Sequence, residues 1–169
     1  ATKHLVDQCY RNIGFVTTNH QIKIFNERFE GYKKALKDNS LPYVEDNVVF
    51  GGLSIKDGRF GAGKLLRSRQ VPDAIIAGDD FTALGVIKKL KEQDLTPPQI
   101  GVMGFANETF SAFITPNLST IDQQANKMGA ECAKMFLKMI KKKNPYDKIE
   151  HIILEPLLVE RQSTNKNNT

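Results

Sequence analysis

Among 169 residues the chain has no tryptophan, two cysteines and three histidines, and each scarcity removes a class of function. Cys9 and Cys132 lie far apart with no second pair beside them, which argues against a zinc site of the paired-cysteine kind. His4, His20 and His151 are scattered, none with a partner at metal-ligand spacing. No apolar run approaches the ~20 residues a membrane helix needs. The opening ATKHLVDQCYRN lacks the basic-then-apolar layout of a secretory signal. These absences predict an intracellular, cytoplasmic chain that needs no metal or other cofactor and contacts no membrane. The formal net charge is only +5. Its densest cluster, Lys141-Lys142-Lys143, closes a helical pattern, where cations suit the dipole better than they suggest a nucleic-acid surface. Cys132 stands among Met128, Met135, Phe136 and Met139, a setting that predicts a buried thiol.

What is present is an alternation. Residues 3–8 read as the last turns of a helix, and Ile13 to Val16 as a buried strand. From 22 to 36 the apolar residues Ile22, Phe25, Phe29, Tyr32 and Leu36 recur in steps of three and four, one face of an amphipathic helix. Val48-Val49-Phe50 is a short strand. Ser54 followed by Asp57 resembles a capping box for a helix running to about 69. A strand at 74–78 precedes a helix with Phe81, Leu84, Ile87 and Leu90 on its expected apolar face. A strand over 100–105, a short helix near 108–114, a strand near 118–122 and a long helix at 126–142 follow. Two short strands, Ile152 to Leu154 and Leu157 to Val159, lead to a polar tail, STNKNNT, expected to be disordered. The fold class is therefore α/β, a parallel sheet flanked by helices on both faces.

Ligands of such sheets bind beyond the carboxyl ends of the strands, where Asp79 and Asp80 sit. A metal-binding Gly-Asp-Asp turn would need a second strand after the acids, and a helical pattern follows instead. A nucleotidase is a stronger rival, since GRFGAGKL at 58–65 matches the phosphate-loop pattern up to Lys64. Leu65, however, stands where that pattern needs a hydroxyl for magnesium. Asp80, directly before Phe81, suits a helix cap. A cap and a ligand contact both remain open for these acids from the residues alone.

Longer segments carry a resemblance. PDAIIAGDDFTALGVIKKL is similar to the PDAI…ND…ALG segment of the lactose/galactose repressor family, and HLVDQCYRNIGFVTT to its helix-to-strand hinge. ERFEGYKKAL resembles its Arg-x-x-Gly-aromatic helix, and IGVMGFAN its ISVIGFDD strand. NLSTIDQQANKMGAECAKMFLKMI and EPLLVERQST resemble its crossover and closing segments. The six segments keep one order along the chain.

The resemblance implies the effector domain of a bacterial transcription regulator, built of two periplasmic-binding-protein-like lobes and free of catalysis. On this comparison residues 1–10 end a helix of the first lobe, 11–122 form the second lobe, and 123–150 cross back. Residues 151–163 then return to the second lobe, and 164–169 trail off. It also implies that the DNA-binding headpiece is absent from this chain, so operator DNA would be contacted only through that headpiece. By position the resemblance implies that Arg28, Asp79, Asp80 and Gln123 face a small polar effector of carbohydrate type, with Leu53 and Asn107 nearby. A surface ion pair is the plainer role for Arg28, and a turn-stabilising amide for Gln123. The family pairs as homodimers, through the helix beginning near Phe81 and the apolar Phe110, Phe113 and Ile114. The chain departs from the family at Asp79, Ala106, Leu53 and Cys9, the last standing where relatives often end a helix with glycine. A sugar-binding receptor for transport or chemotaxis shares the fold and is the alternative reading.

Overall fold

The computed structural model describes residues 1–19, 21–141 and 151–166; His20, Lys142, Lys143 and the last three residues lie outside them. Strands β1 (Ile13–Thr18), β2 (Val48–Gly51), β3 (Ala74–Ala77), β4 (Gly101–Phe105), β5 (Ser119–Asp122) and β6 (Leu157–Val159) form one sheet in the order β2-β1-β3-β4-β5-β6. The first five run parallel, and β6 pairs antiparallel with β5 at the edge. Ile152 to Leu154, expected as a strand, pairs with no strand among the described residues. The helices are α1 (Thr2–Asp7), α2 (Lys23–Asp38), α3 (Ile55–Leu65), α4 (Asp80–Lys91) and α5 (Ala125–Ile140).

Side-chain alternation along β3 divides the interior into two cores. Ile75 and Ala77 join Ala62 and Leu65 of α3 and Val86 and Leu90 of α4 on one face. Ala74 and Ile76 join Leu5 of α1 and Tyr32 and Leu36 of α2 on the other. A parallel sheet needs this double cover, since both of its faces are apolar. α1 thus contributes Leu5 to this second core.

Local rules account for the helix ends. Ser54 and Asp57 form the reciprocal capping box expected of them, with Asp57 N donating to Ser54 Oγ and Ser54 N donating to Asp57 Oδ2 at 3.0 Å. α1 and α2 stop at left-handed residues, Cys9 (φ 65°) and Ser40 (φ 56°). Tyr10 N then donates to Leu5 O, and Leu41 N to Leu36 O, closing the last turns. Cys9 thus holds the conformation glycine adopts most easily.

Three expectations fail for reasons of packing. Phe81 is 45% exposed, and the buried stripe of α4 is Ala83, Val86, Ile87 and Leu90. A row of threes slips back by about 60° per step on a helix of 3.6 residues per turn, so Phe81 and Leu90 cannot share one face. Cys132 is exposed, because α5 buries none of its residues in either core. The polar tail is ordered through Lys166: Ser163 and Thr164 have no exposed surface. Ser163 Oγ donates to Val102 O at 2.6 Å, and Thr164 Oγ1 meets Ser119 Oγ at 2.7 Å and His4 Nε2 at 2.8 Å.

GRFGAGKL is helix rather than phosphate-binding loop. A Cβ at Gly58 would overlap the carbonyl oxygen of Thr82, one at Gly85 that of Ile55, and one at Gly61 the side chain of Val16. The glycines let α3 and α4 touch backbone to backbone. Their amides are committed to the helix, which removes the basis of the nucleotidase reading. Gly58→Ala is expected to destabilise the fold by about 1–3 kcal/mol, the overpacking cost exceeding the gain in helix propensity. Gly31→Ala, where nothing lies within 4 Å of the new methyl, should instead stabilise by up to about 1 kcal/mol. Urea unfolding of the two variants gives the opposite signs.

Candidate ligand-binding site

The carboxyl ends of β1 to β5 open on one edge of the sheet, and Arg28 of α2 reaches across it. Arg28 Nη1 donates to Gly78 O at 2.7 Å and Nη2 to Gln123 Oε1 at 2.9 Å. Its guanidinium carbon lies 4.5 Å from the centroid of the Phe105 ring and 5.2 Å from that of Phe25. Burial lowers the Arg28 pKa and the charge of Asp79 opposes that shift; the guanidinium remains a cation. An open pocket of about 410 Å³ lies against it, bounded by Arg28, Phe105, Gln123, Ile24, Met128 and Leu154. Leu53 is half-buried at the same edge, its Cδ2 3.0 Å from where a Cβ on Gly78 would stand. Arg28 is thus no surface ion pair, and Gln123 positions it.

Asp79, and not Asp80 as expected, caps α4. The Asp79 backbone is extended (φ −153°, ψ 178°), and its Oδ1 accepts from Thr82 N at 2.7 Å. Half-buried, it leaves its second oxygen without a hydrogen bond among the described residues. Asp80 is already helical and has no exposed surface. Its Oδ2 accepts from Glu108 N at 2.7 Å and its Oδ1 from Thr120 Oγ1 at 2.6 Å. Desolvation raises the Asp80 pKa against the opposing bonds from Thr120 and Glu108. Gly104 makes room for it, since a Cβ there would strike Asp80 Oδ1. Asp80 therefore braces the edge from beneath rather than presenting an oxygen to it.

Asn107 is also turned inward. Its Nδ2 donates to Asp122 Oδ2 at 3.2 Å, and its Oδ1 accepts from Arg161 Nη2 at 2.8 Å. Arg161 Nη1 donates to Leu118 O at 2.6 Å and Ser111 Oγ at 3.0 Å, locking the closing segment onto the loop after β4. Ala106 and Asn107 both hold positive φ, 132° and 58°. Asparagine tolerates its value; alanine does so at a cost. Sequence reasoning assigned no role to Phe105, Thr120 or Arg161. Each lay inside a quoted segment, but nothing local marks a ring as a platform or an arginine as a clamp.

Polar groups gathered at the strand ends beside an open pocket are the arrangement by which lobes of this form hold small ligands. Residues 2–164 match the periplasmic binding protein-like domain. The HTH-type transcriptional repressor PurR of Actinobacillus pleuropneumoniae serotype 3 is 30% identical over 169 residues, 99% of this chain and 50% of that protein. The crystal structure of a regulatory protein of the LacI family from Chloroflexus aggregans superposes with a TM-score of 0.86 at 25% identity, covering 95% of this chain and 58% of that one. A LacI family transcriptional regulator from Enterococcus faecium with bound ribose gives 0.85 at 25% identity, covering 96% and 59%. The chain belongs to the periplasmic binding protein-like domain family, and it is similar to regulators of the lactose/galactose repressor type. It spans about half the length of the curated relatives it matches.

Asp80 yields a test in which the sign depends on pH. Because its folded pKa lies above the 3.8 of the free side chain, the folded state holds the proton more tightly. That contribution is present at low pH and is lost as pH rises through the folded pKa. Asp80→Asn keeps an acceptor for Glu108 N and a donor for Thr120, but cannot ionise. The stability of wild type relative to Asp80→Asn should therefore fall between acid and neutral pH. Asp80→Ala should lose about 1–3 kcal/mol, leaving the Glu108 N–H and the Thr120 hydroxyl without their acceptor. Chemical denaturation across pH measures both.

Proposed function

We propose that this chain supplies a ligand-contacting lobe of the effector domain of a bacterial transcription regulator, and that the ligand is a small polar molecule, most simply a sugar. The observation that carries the reading is the Arg28 guanidinium, forked between Gly78 O and Gln123 Oε1 on the Phe105 ring at the mouth of the pocket. A fixed guanidinium beside the cap carboxylate of Asp79 offers donors and an acceptor to vicinal hydroxyls, while Phe105 supplies an apolar face. The ribose held by a similar regulator supports the ligand class. The ligand acts by differential affinity for two arrangements of the lobes, which changes operator binding by the DNA-binding element of the whole protein. On this reading the protein works inside the cell and does no catalysis. A transport receptor shares only the fold.

Calorimetric titration with a panel of pentoses, hexoses and disaccharides tests the site. For whichever sugar binds, Arg28→Ala is expected to weaken affinity by about 1.5–3 kcal/mol, roughly 10- to 150-fold. Unchanged affinity in that variant would overturn the assignment.

The same regulator reading includes a homodimer. Phe81 and Phe110 lie with ring centroids 5.0 Å apart, and Phe113, whose N donates to Phe110 O, is 81% exposed. Apolar side chains this exposed on neighbouring segments suit a partner surface. Sedimentation of the protein should show a dimer that Phe113→Asp converts to monomer while the circular dichroism spectrum is retained.

A further inference from the structure

α3 and α4 cover the sheet face opposite α2, away from Arg28, and between them lies a basic hollow of about 250 Å³ lined by Arg59, Phe60, Gly63, Arg67 and Lys89. Arg59 and Gly63 lie one turn apart on α3, and Arg67 follows in the turn just past its end. Gly63 is the buried floor of the hollow. A Cβ there would stand 3.6 Å from Lys89 Cε and 3.9 Å from Arg67 Nη1, so the cationic side chains close over bare backbone. One acid answers them among the described residues: Glu92 pairs with Arg59 and, at 3.1 Å, with Lys89. The Arg67 guanidinium makes no hydrogen bond or ion pair among the described residues. Phe60, at the rim, is 60% exposed.

We propose that this hollow binds a phosphomonoester of a small molecule, its phosphoryl oxygens held by Arg59, Arg67 and Lys89 and its body resting on Phe60. Three cations against one carboxylate leave an excess that suits a phosphomonoester, which carries about −1.5 to −2 at neutral pH. Guanidinium forks pair with neighbouring phosphate oxygens, and two of them converge here. The small volume favours a free metabolite over a phosphorylated protein segment. Lys64 supplies an internal control: its Nζ sits 5.9 Å above the Phe60 ring and does not line the hollow.

The test is titration calorimetry at constant ionic strength with phenyl phosphate, benzoate and a phosphoserine tripeptide as probes. Phenyl phosphate should bind saturably and more tightly than benzoate, which has one charge. Arg67→Gln should weaken it by about tenfold or more, the loss of a hydrogen bond to a charged group. Arg67→Lys should fall between, keeping the charge and losing the fork. Lys64→Gln removes the same charge outside the hollow and should change affinity by less than about twofold. Arg28→Ala should leave phenyl phosphate binding intact, which keeps this proposal separate from the cleft at the strand ends. No saturable binding of phenyl phosphate, or equal losses in Lys64→Gln and Arg67→Gln, would overturn the proposal. Tighter binding of the tripeptide than of phenyl phosphate would overturn its assignment to a small molecule.

Discussion

The carboxyl edge of the sheet hangs on a carboxylate with no exposed surface. Asp80 joins the first turn of α4 to the loop after β4 through Glu108 N and to β5 through Thr120. Removing a charge from water is expensive, and burial accordingly shifts Asp80 toward its protonated form. Two short hydrogen bonds and the positive end of the α4 dipole offset part of that cost. The bare Cα of Gly104 is the steric condition for the arrangement. A second brace lies beside it, where Arg161 clamps Asn107, Ser111 and Leu118 and so ties the end of the chain to the same loops.

This stiff base explains why Arg28 can be held in one orientation. Its partners, Gly78 O and Gln123 Oε1, come from the loops after β3 and β5, and those loops flank the Asp80 brace. A guanidinium already fixed on Phe105 would lose little further freedom on meeting the proposed ligand, which is how preorganisation contributes affinity. Asp79 serves economically: one oxygen caps α4, and the other remains free of hydrogen bonds among the described residues.

The opposite helical layer shows how one stretch of sequence can mislead and inform together. In GRFGAGKL, Gly58 and Gly61 turn inward, where they meet α4 and β1. Arg59, Phe60 and Gly63 turn toward the hollow. The glycines that imitate a phosphate loop in one dimension are in three dimensions a device for close helix packing. Their neighbours on the outer face gather cations with Glu92 beside them.

The sequence by itself determined the order of strands and helices, the double-sided cover of the sheet and the capping box at Ser54, because periodicity, caps and chain order act within a few residues. The strand at 74–78 likewise puts Asp79 and Asp80 at its end, whereas a place near that edge for Arg28, Leu53 and Gln123 was implied only by the family resemblance. Only the tertiary structure decided which of two adjacent acids caps and which is buried. One residue of helix turns a side chain by about 100°, and the surroundings choose between the results. It also decided that Asn107 faces Arg161, 54 positions away, that Ser163 and Thr164 are interior, and that Cys132 is not. Those outcomes depend on contacts between segments far apart in the chain, where local pattern carries no information about distance.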